Sequence, residues 1–226
     1  KYIEPSTYES LWNLKVPDGY ELDFRYSFGY SISQVRNLIA EWAKNYDYLL
    51  SVDSDIVLPK DALKKMLAAD KDVISGLYIQ RIPNTHTLEV YMVTPNGGCT
   101  NIPYHLIEDR GVVEIAACGM GAVLIKSEVF RKMDYPHFFY KEALTMKETV
   151  SEDVYFCLKA REAGFTIWAD SSIKCGHKGT NFFVVESTKS HLQKVAEQDL
   201  LPKEHAEYLK TMNITPKVIY DIGACV

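Results

Sequence analysis

Between residues 31 and 79 the spacing of apolar side chains switches repeatedly between two periods, and that alternation constrains the fold more than any other feature of the chain. Val35, Leu38, Ile39, Trp42 and Ala43 recur at helical spacing up to Lys44, and Ser31 or Ser33 stands where an N-cap is needed. Asn45-Tyr46-Asp47 ends that helix. Tyr48-Leu49-Leu50-Ser51-Val52 follows, an apolar strand of the kind expected at the centre of a sheet with both faces covered. Pro59 opens a second helix with Leu63, Met66 and Leu67 inward, and residues 72–79 form another strand. Upstream, Leu22, Phe24 and Tyr26 alternate with Asp23 and Arg25, which predicts a strand over 21–28. Strand, helix, strand, helix, strand is the rhythm of an α/β sheet built by crossovers.

The flanking segments are less regular. Residues 6–12 predict a short helix with Leu11 and Trp12 inward, and Pro17-Asp18-Gly19 a turn. Strands near 88–93, 112–116 and 121–125 are joined by Gly-containing turns and suit a mixed or antiparallel part of the sheet. Residues 134–150, with Pro136, His137, Phe138, Phe139 and Tyr140, read as a mobile loop over a site. Ser151 caps a helix that runs through Ala163 and stops at Gly164. A short strand over 166–169, a loop over 170–186 and helices near 187–198 and 203–211 complete a domain spanning 1–212. Residues 213–226 read as a linker and the severed first strand of a second, nucleotide-binding α/β unit; a terminal strand of the first domain is the simpler alternative.

The formal charge of −5, from 25 Lys and Arg against 30 Asp and Glu, comes with no long basic run, so a sequence-blind grip on nucleic acid is excluded as an expectation. No stretch resembles a signal peptide or an apolar membrane span. Five cysteines, at 99, 118, 157, 175 and 225, fit no metal knuckle and no complete disulfide framework, which points to a reducing, cytoplasmic setting.

Chemistry concentrates at three places. Asp53 and Asp55 follow the apolar strand two residues apart; on extended backbone both carboxylates would face one side and share one ion. Ligands of open α/β sheets gather at such carboxyl ends, and oxygen donors suit Mg2+ or Mn2+, which reverses the sign a nucleotide diphosphate would meet. The alternative is a turn cap at Asp53 and a solvated Asp55. His177, between Gly176 and Gly179, is the candidate third ligand, while His191 and His205 sit in helical stretches. Glu152 and Asp153 open a helix, where acids favour the exposed N–H groups; a carboxylate there could also take a proton from a sugar hydroxyl. Arg36 and Asn37 offer a cation and an amide toward a phosphate or base, or belong to a solvated face. Gly119 and Gly121 flank Met120 and permit either a bulge or close approach to a sugar ring, and Lys178 could meet diphosphate oxygens.

Taken in order, these segments resemble the GT-A glycosyltransferase superfamily. YDYLLSVDSDIVLP is similar to its DxD segment, SQVRNLIAEW to the preceding helix, GMGAVLIKSEVF to the strand and turn facing donor and acceptor, and SEDVYFCLKAREAGFTIWAD to the acidic motif of inverting members. The resemblance covers most of residues 20–180. It implies a Rossmann-like central mixed sheet flanked by helices, a UDP-sugar donor, a glycan acceptor, Asp153 as base, and Asp53, Asp55 and His177 at Mn2+ or Mg2+. The tail VIYDIGACV resembles the first strand of FkbM-like methyltransferases. A glycosyltransferase joined to such a domain is similar to the multidomain rhamnosyltransferases of algal giant viruses, which implies UDP-L-rhamnose as donor, further domains and a host-cell cytoplasm. The family's usual first strand, whose end touches the nucleobase, is expected either upstream of Lys1 or to be replaced by a site completed differently. A retaining enzyme, a metal-dependent nucleotidyl or phosphoryl transferase, and a silent glycan-binding domain are the competing readings.

Overall fold

Three strands running the same way set the frame. In the computed structural model, β1 (Tyr48–Val52), β3 (Val73–Leu77) and β9 (Ile167–Lys174) belong to a five-stranded sheet of order β1-β8-β3-β9-β6. β3 pairs with β9 in parallel, while β8 (Ala122–Lys126) lies antiparallel between β1 and β3, and β6 (Val112–Ile115) antiparallel at the far edge. The structure describes residues 3–27, 31–81, 86–95, 98–142, 149–179 and 182–185. The expected helices beyond 186, the domain boundary at 212, His191, His205 and the tail 213–226 lie outside them.

The sheet is mixed and flanked by helices, as the α/β reading expects, because its strands bury both faces. Alternate residues feed two cores: Val73, Val123 and Ile125 pack with Ala40, Ala43, Phe130 and Phe156 on one side, Ile74 and Leu124 with Ala62, Leu63 and Met66 on the other. The first side carries α2 (Ile32–Ala43), α4 (Ser127–Lys132) and α5 (Glu152–Glu162), the second α3 (Ala62–Ala69). α2 starts as predicted, with a capping box in which Ser31 accepts from Gln34 N–H and Gln34 accepts from Ser31 N–H. α5 is capped by Ser151 and ends before Gly164, whose φ of +91° only glycine adopts without strain.

Several expectations need correction. β1 is an edge strand, half-buried throughout; an apolar run reports what covers a strand's faces and is silent about its edges. Residues 21–27 form no strand, and Leu22, Phe24 and Tyr26 are exposed, so alternation alone had no ladder to join. α1 (Pro5–Trp12) forms, but it buries Thr7 and Ser10 and leaves Trp12 77% exposed. The inward face of α2 is Arg36, Asn37, Ala40 and Ala43 rather than the stripe through Leu38. The loop expected over 170–186 is instead the end of β9 followed by two further strands, β10 (Gly176–Lys178) and β11 (Phe182–Val184); β10 also pairs with β2 (Ile56–Val57). A third sheet, of order β5-β4-β7, holds β4 (Val90–Val93), β5 (Cys99–Asn101) and β7 (Ala117–Cys118). No helix among the described residues is long and apolar enough to cross a membrane. Cys99, Cys118, Cys157 and Cys175 are free thiols.

Candidate active site

The parallel strands β1 and β3 deliver Asp53 and Tyr78 at their carboxyl ends, and the antiparallel β8 begins at the same end just after Gly119-Met120-Gly121. Asp53 N–H donates to Gly121 C=O at 3.0 Å, which locks the two segments together. Asp53-Ser54-Asp55-Ile56 is a turn, closed by Ile56 N–H on Asp53 C=O at 3.1 Å, and not the extended backbone expected for it. The two carboxylates therefore have different partners. Asp53 Oδ1 lies 3.5 Å from Arg36 Nη2, whereas Asp55 Oδ2 lies 2.8 Å from Arg81 Nη1 and Asp55 Oδ1 3.6 Å from His177 Nε2.

The antiparallel pairing of β10 with β2 puts His177 opposite Ile56 and so beside Asp55, and Lys178 N–H donates to Asp55 C=O at 2.7 Å. His177 is buried, packs edge-on against Tyr78, and holds Nδ1 2.7 Å from Ile79 C=O. A carbonyl only accepts, so Nδ1 carries a hydrogen, and Nε2 faces the Asp55 carboxylate either as the lone pair of a neutral ring or as the N–H of an imidazolium. With the ring protonated the two form an ion pair; with it neutral they are two acceptors that a cation between them would satisfy. A ligating histidine that gives its other N–H to a backbone carbonyl is the usual arrangement at metal ions, so this imidazole and carboxylate could supply two donors, a set that suits Mn2+ better than Mg2+, with the other Asp55 oxygen on Arg81. Burial works against ionisation of Asp55, but His177 and Arg81 outweigh it and hold its carboxyl below the ordinary value. Asp53 does not complete a three-ligand set: it is on Arg36, and among the described residues no three His, Cys, Asp or Glu side chains are placed to hold one metal ion.

Arg36 anchors a second cluster. Its buried guanidinium donates from Nε to Glu152 Oε1 at 3.2 Å, and Asp153 Oδ1 lies 3.2 Å from the same nitrogen. The Nε hydrogen goes to Glu152, so Asp153 Oδ1 is a buried oxygen in ion-pair range without a hydrogen bond, while Asp153 Oδ2 accepts from Met120 N–H at 3.2 Å. One cation thus serves three carboxylates. Burial pushes the Asp153 carboxyl up to about 8; Arg36 opposes this, and the adjacent Glu152 and Asp53 add to it. Arg36 was expected to face a phosphate, but its charge is already matched by these acids.

Asn37 departs further from expectation. Its Oδ1 accepts from His137 N–H at 2.9 Å and Phe138 N–H at 3.0 Å, and its Nδ2 donates to Ser33 C=O at 2.9 Å and Phe138 C=O at 2.6 Å. Every hydrogen-bonding position of the amide is taken by backbone, leaving none for a nucleotide. Gly119 and Gly121 are explained by Tyr78: a Cβ on Gly119 would collide with the Tyr78 hydroxyl, and one on Gly121 would sit 2.9 Å from Tyr78 Cζ. Gly121 N–H donates to that hydroxyl at 3.0 Å.

The sequence reading missed Tyr78, Arg81, Glu89 and Tyr91. Tyr91 donates to Glu89 Oε2 at 2.6 Å, and the Glu89 backbone joins Tyr78 C=O and Gly119 N–H. Tyr78 follows β3 just as Asp53 follows β1, so the strand-end rule applied to Asp53 would also have found it.

No protein-family model and no curated protein matches the sequence. Solved structures resemble it loosely. The crystal structure of A197 from STIV is 21% identical over 69% of this chain and 76% of that one, with a TM-score of 0.47. The crystal structure of GalNAc-T7 with UDP, GalNAc and Mn2+ is 15% identical over 68% of this chain, with a TM-score of 0.44; the match spans only 31% of that protein.

Proposed function

We propose that the chain is a divalent-metal-dependent, inverting glycosyltransferase of the GT-A type that moves a sugar from a UDP-sugar to a hydroxyl of a glycan. The observation that carries the reading is the placing of His177 Nε2 3.6 Å from the Asp55 carboxylate, at the sheet end where the half-buried Asp153 accepts from Met120 N–H. Asp55 and His177 would hold Mn2+ or Mg2+, which when bound supplies positive charge for the donor diphosphate.

Asp153 takes the proton of the acceptor hydroxyl. Its carboxyl, raised by burial, has a proton affinity close to working pH, which is where a general base is most effective. Met120 N–H orients Oδ2, and because Oδ1 is buried against Arg36, the acceptor hydroxyl would meet the carboxylate at Oδ2. Arg36 and Glu152 hold that carboxyl in place. Attack opposite the diphosphate inverts the anomeric carbon.

Release of free UDP from a panel of UDP-sugars, UDP-L-rhamnose included, with Mn2+ present tests the activity. Asp153→Asn should bind UDP as the wild type does and lose turnover by about 10²- to 10⁴-fold. Normal turnover by that variant refutes the base, and a product with retained anomeric configuration refutes inversion.

A further inference from the structure

A cavity of about 470 Å³ opens beside the N-terminal half of α2, well within the size range of small-molecule sites. Its walls are aromatic: Tyr135, Phe139 and Tyr140 are 67%, 50% and 49% exposed, an unusual grouping of large rings at one surface. None of its described lining residues is acidic or basic. The proposed catalytic cluster next door, by contrast, is crowded with carboxylates around Arg36. A diphosphate would find no cation in the cavity.

The wall is built rigidly. Asn37 clamps the backbone of His137 and Phe138 from both its oxygen and its nitrogen. Lys159 Nζ donates to Asp134 C=O at 2.7 Å and Pro136 C=O at 2.9 Å. Phe138 stacks on Phe156 with ring centroids 4.7 Å apart, and Phe139 packs edge-on against Tyr155. Residues 134–139 of the expected mobile loop are tied to α2 on one side and to α5, the helix of Asp153, on the other. A ring such as Phe139, packed before a ligand arrives, loses little freedom on binding it.

We infer that this cavity is the acceptor subsite and takes a neutral pyranose, laid with its C–H face on the rings of Phe139 and Tyr140. A pyranose needs an apolar face for its ring and hydrogen-bonding groups for its rim. Gln34 provides one: its Oε1 is engaged by Ser31 N–H and Oγ, while its Nε2 has no partner among the described residues. The tyrosine hydroxyls of Tyr135 and Tyr140 provide others. The assignment rests on the transferase reading above: the cavity is lined from α2, the helix of Arg36, and its Phe139 packs on Tyr155 of α5, the helix of Asp153.

Saturation-transfer NMR of the whole chain with neutral methyl pyranosides of glucose, galactose, N-acetylglucosamine and rhamnose tests the cavity, and calorimetry with UDP and Mn2+ tests the donor site separately. At least one glycoside is expected to bind the wild type. Phe139→Ala and Tyr140→Ala, each at a half-exposed ring, should each weaken it about tenfold while leaving UDP affinity unchanged. Absence of glycoside binding, unchanged glycoside affinity in both variants, or displacement of the glycoside by UDP would overturn the inference. A protein that ignores UDP but binds a glycoside through Phe139 and Tyr140 would support the cavity and sink the transferase reading.

Discussion

Replacing Arg36 by methionine keeps most of the side-chain volume and removes the one guanidinium that Asp53, Glu152 and Asp153 share. Taking one partner from a buried ion cluster costs about 3–5 kcal/mol, because the remaining charges stay desolvated. The low end applies near pH 7, since a carboxyl pushed up to about 8 is mostly protonated there and the Asp53 side chain is 40% exposed, which leaves Glu152 as the one buried charge stranded. The direction with pH follows from linkage. Asp153 binds its proton more tightly folded than unfolded, so its contribution to stability is complete below its unfolded pKa and is lost as pH rises through about 8. Without Arg36 the folded state holds that proton to still higher pH. The variant then loses stability faster than the wild type as pH rises, by up to about 1.4 kcal/mol per pH unit for one group. Urea unfolding followed by tryptophan fluorescence at about pH 5, 7 and 9 should give a deficit of about 3 kcal/mol at neutrality that widens toward pH 9. A deficit below about 1 kcal/mol, or one that shrinks as pH rises, would refute the buried cluster.

Three further outcomes follow from the geometry. Asn37→Leu strands buried backbone groups of Phe138 and His137 and should cost about 3 kcal/mol in urea unfolding; a change within about 0.5 kcal/mol would mean the clamp is not formed. Gly121→Ala drives a methyl group to 2.9 Å from Tyr78 and should cost about 1–3 kcal/mol, partly recovered in a double variant with Tyr78→Ala; strict additivity of the two would disprove the contact. The kcat/KM of the proposed reaction should climb with pH and level off above about 8 as Asp153 loses its proton, and a flat profile between about pH 6 and 9 would exclude it as the base.

What could be read in advance depended on whether local pattern or distant pairing decides it. The α/β order, the Ser31 and Ser151 caps and the stop at Gly164 are local, and the structure has them. Edge or centre for β1 is decided by which strands come beside it, and nothing in Tyr48–Val52 encodes that. The exposure of Leu22, Phe24 and Tyr26 has the same origin: alternation signals a strand only where a ladder partner exists. At the site, residue types were legible and their alliances were not. Arg36 looked like a phosphate ligand because its three acids lie on other elements, and Asn37 because its backbone partners come largely from residues 137 and 138. His177 sits in a glycine-flanked stretch that looked like a loop, and only the pairing of β10 with β2 brings it to Asp55.

Calorimetric titration of UDP into the protein, with and without Mn2+, reaches the central claim most directly. Binding that needs Mn2+ and disappears in both Asp55→Ala and His177→Ala is the predicted result. UDP affinity that is the same without the ion, or that survives both substitutions, would show that this pair of side chains holds no metal for a nucleotide.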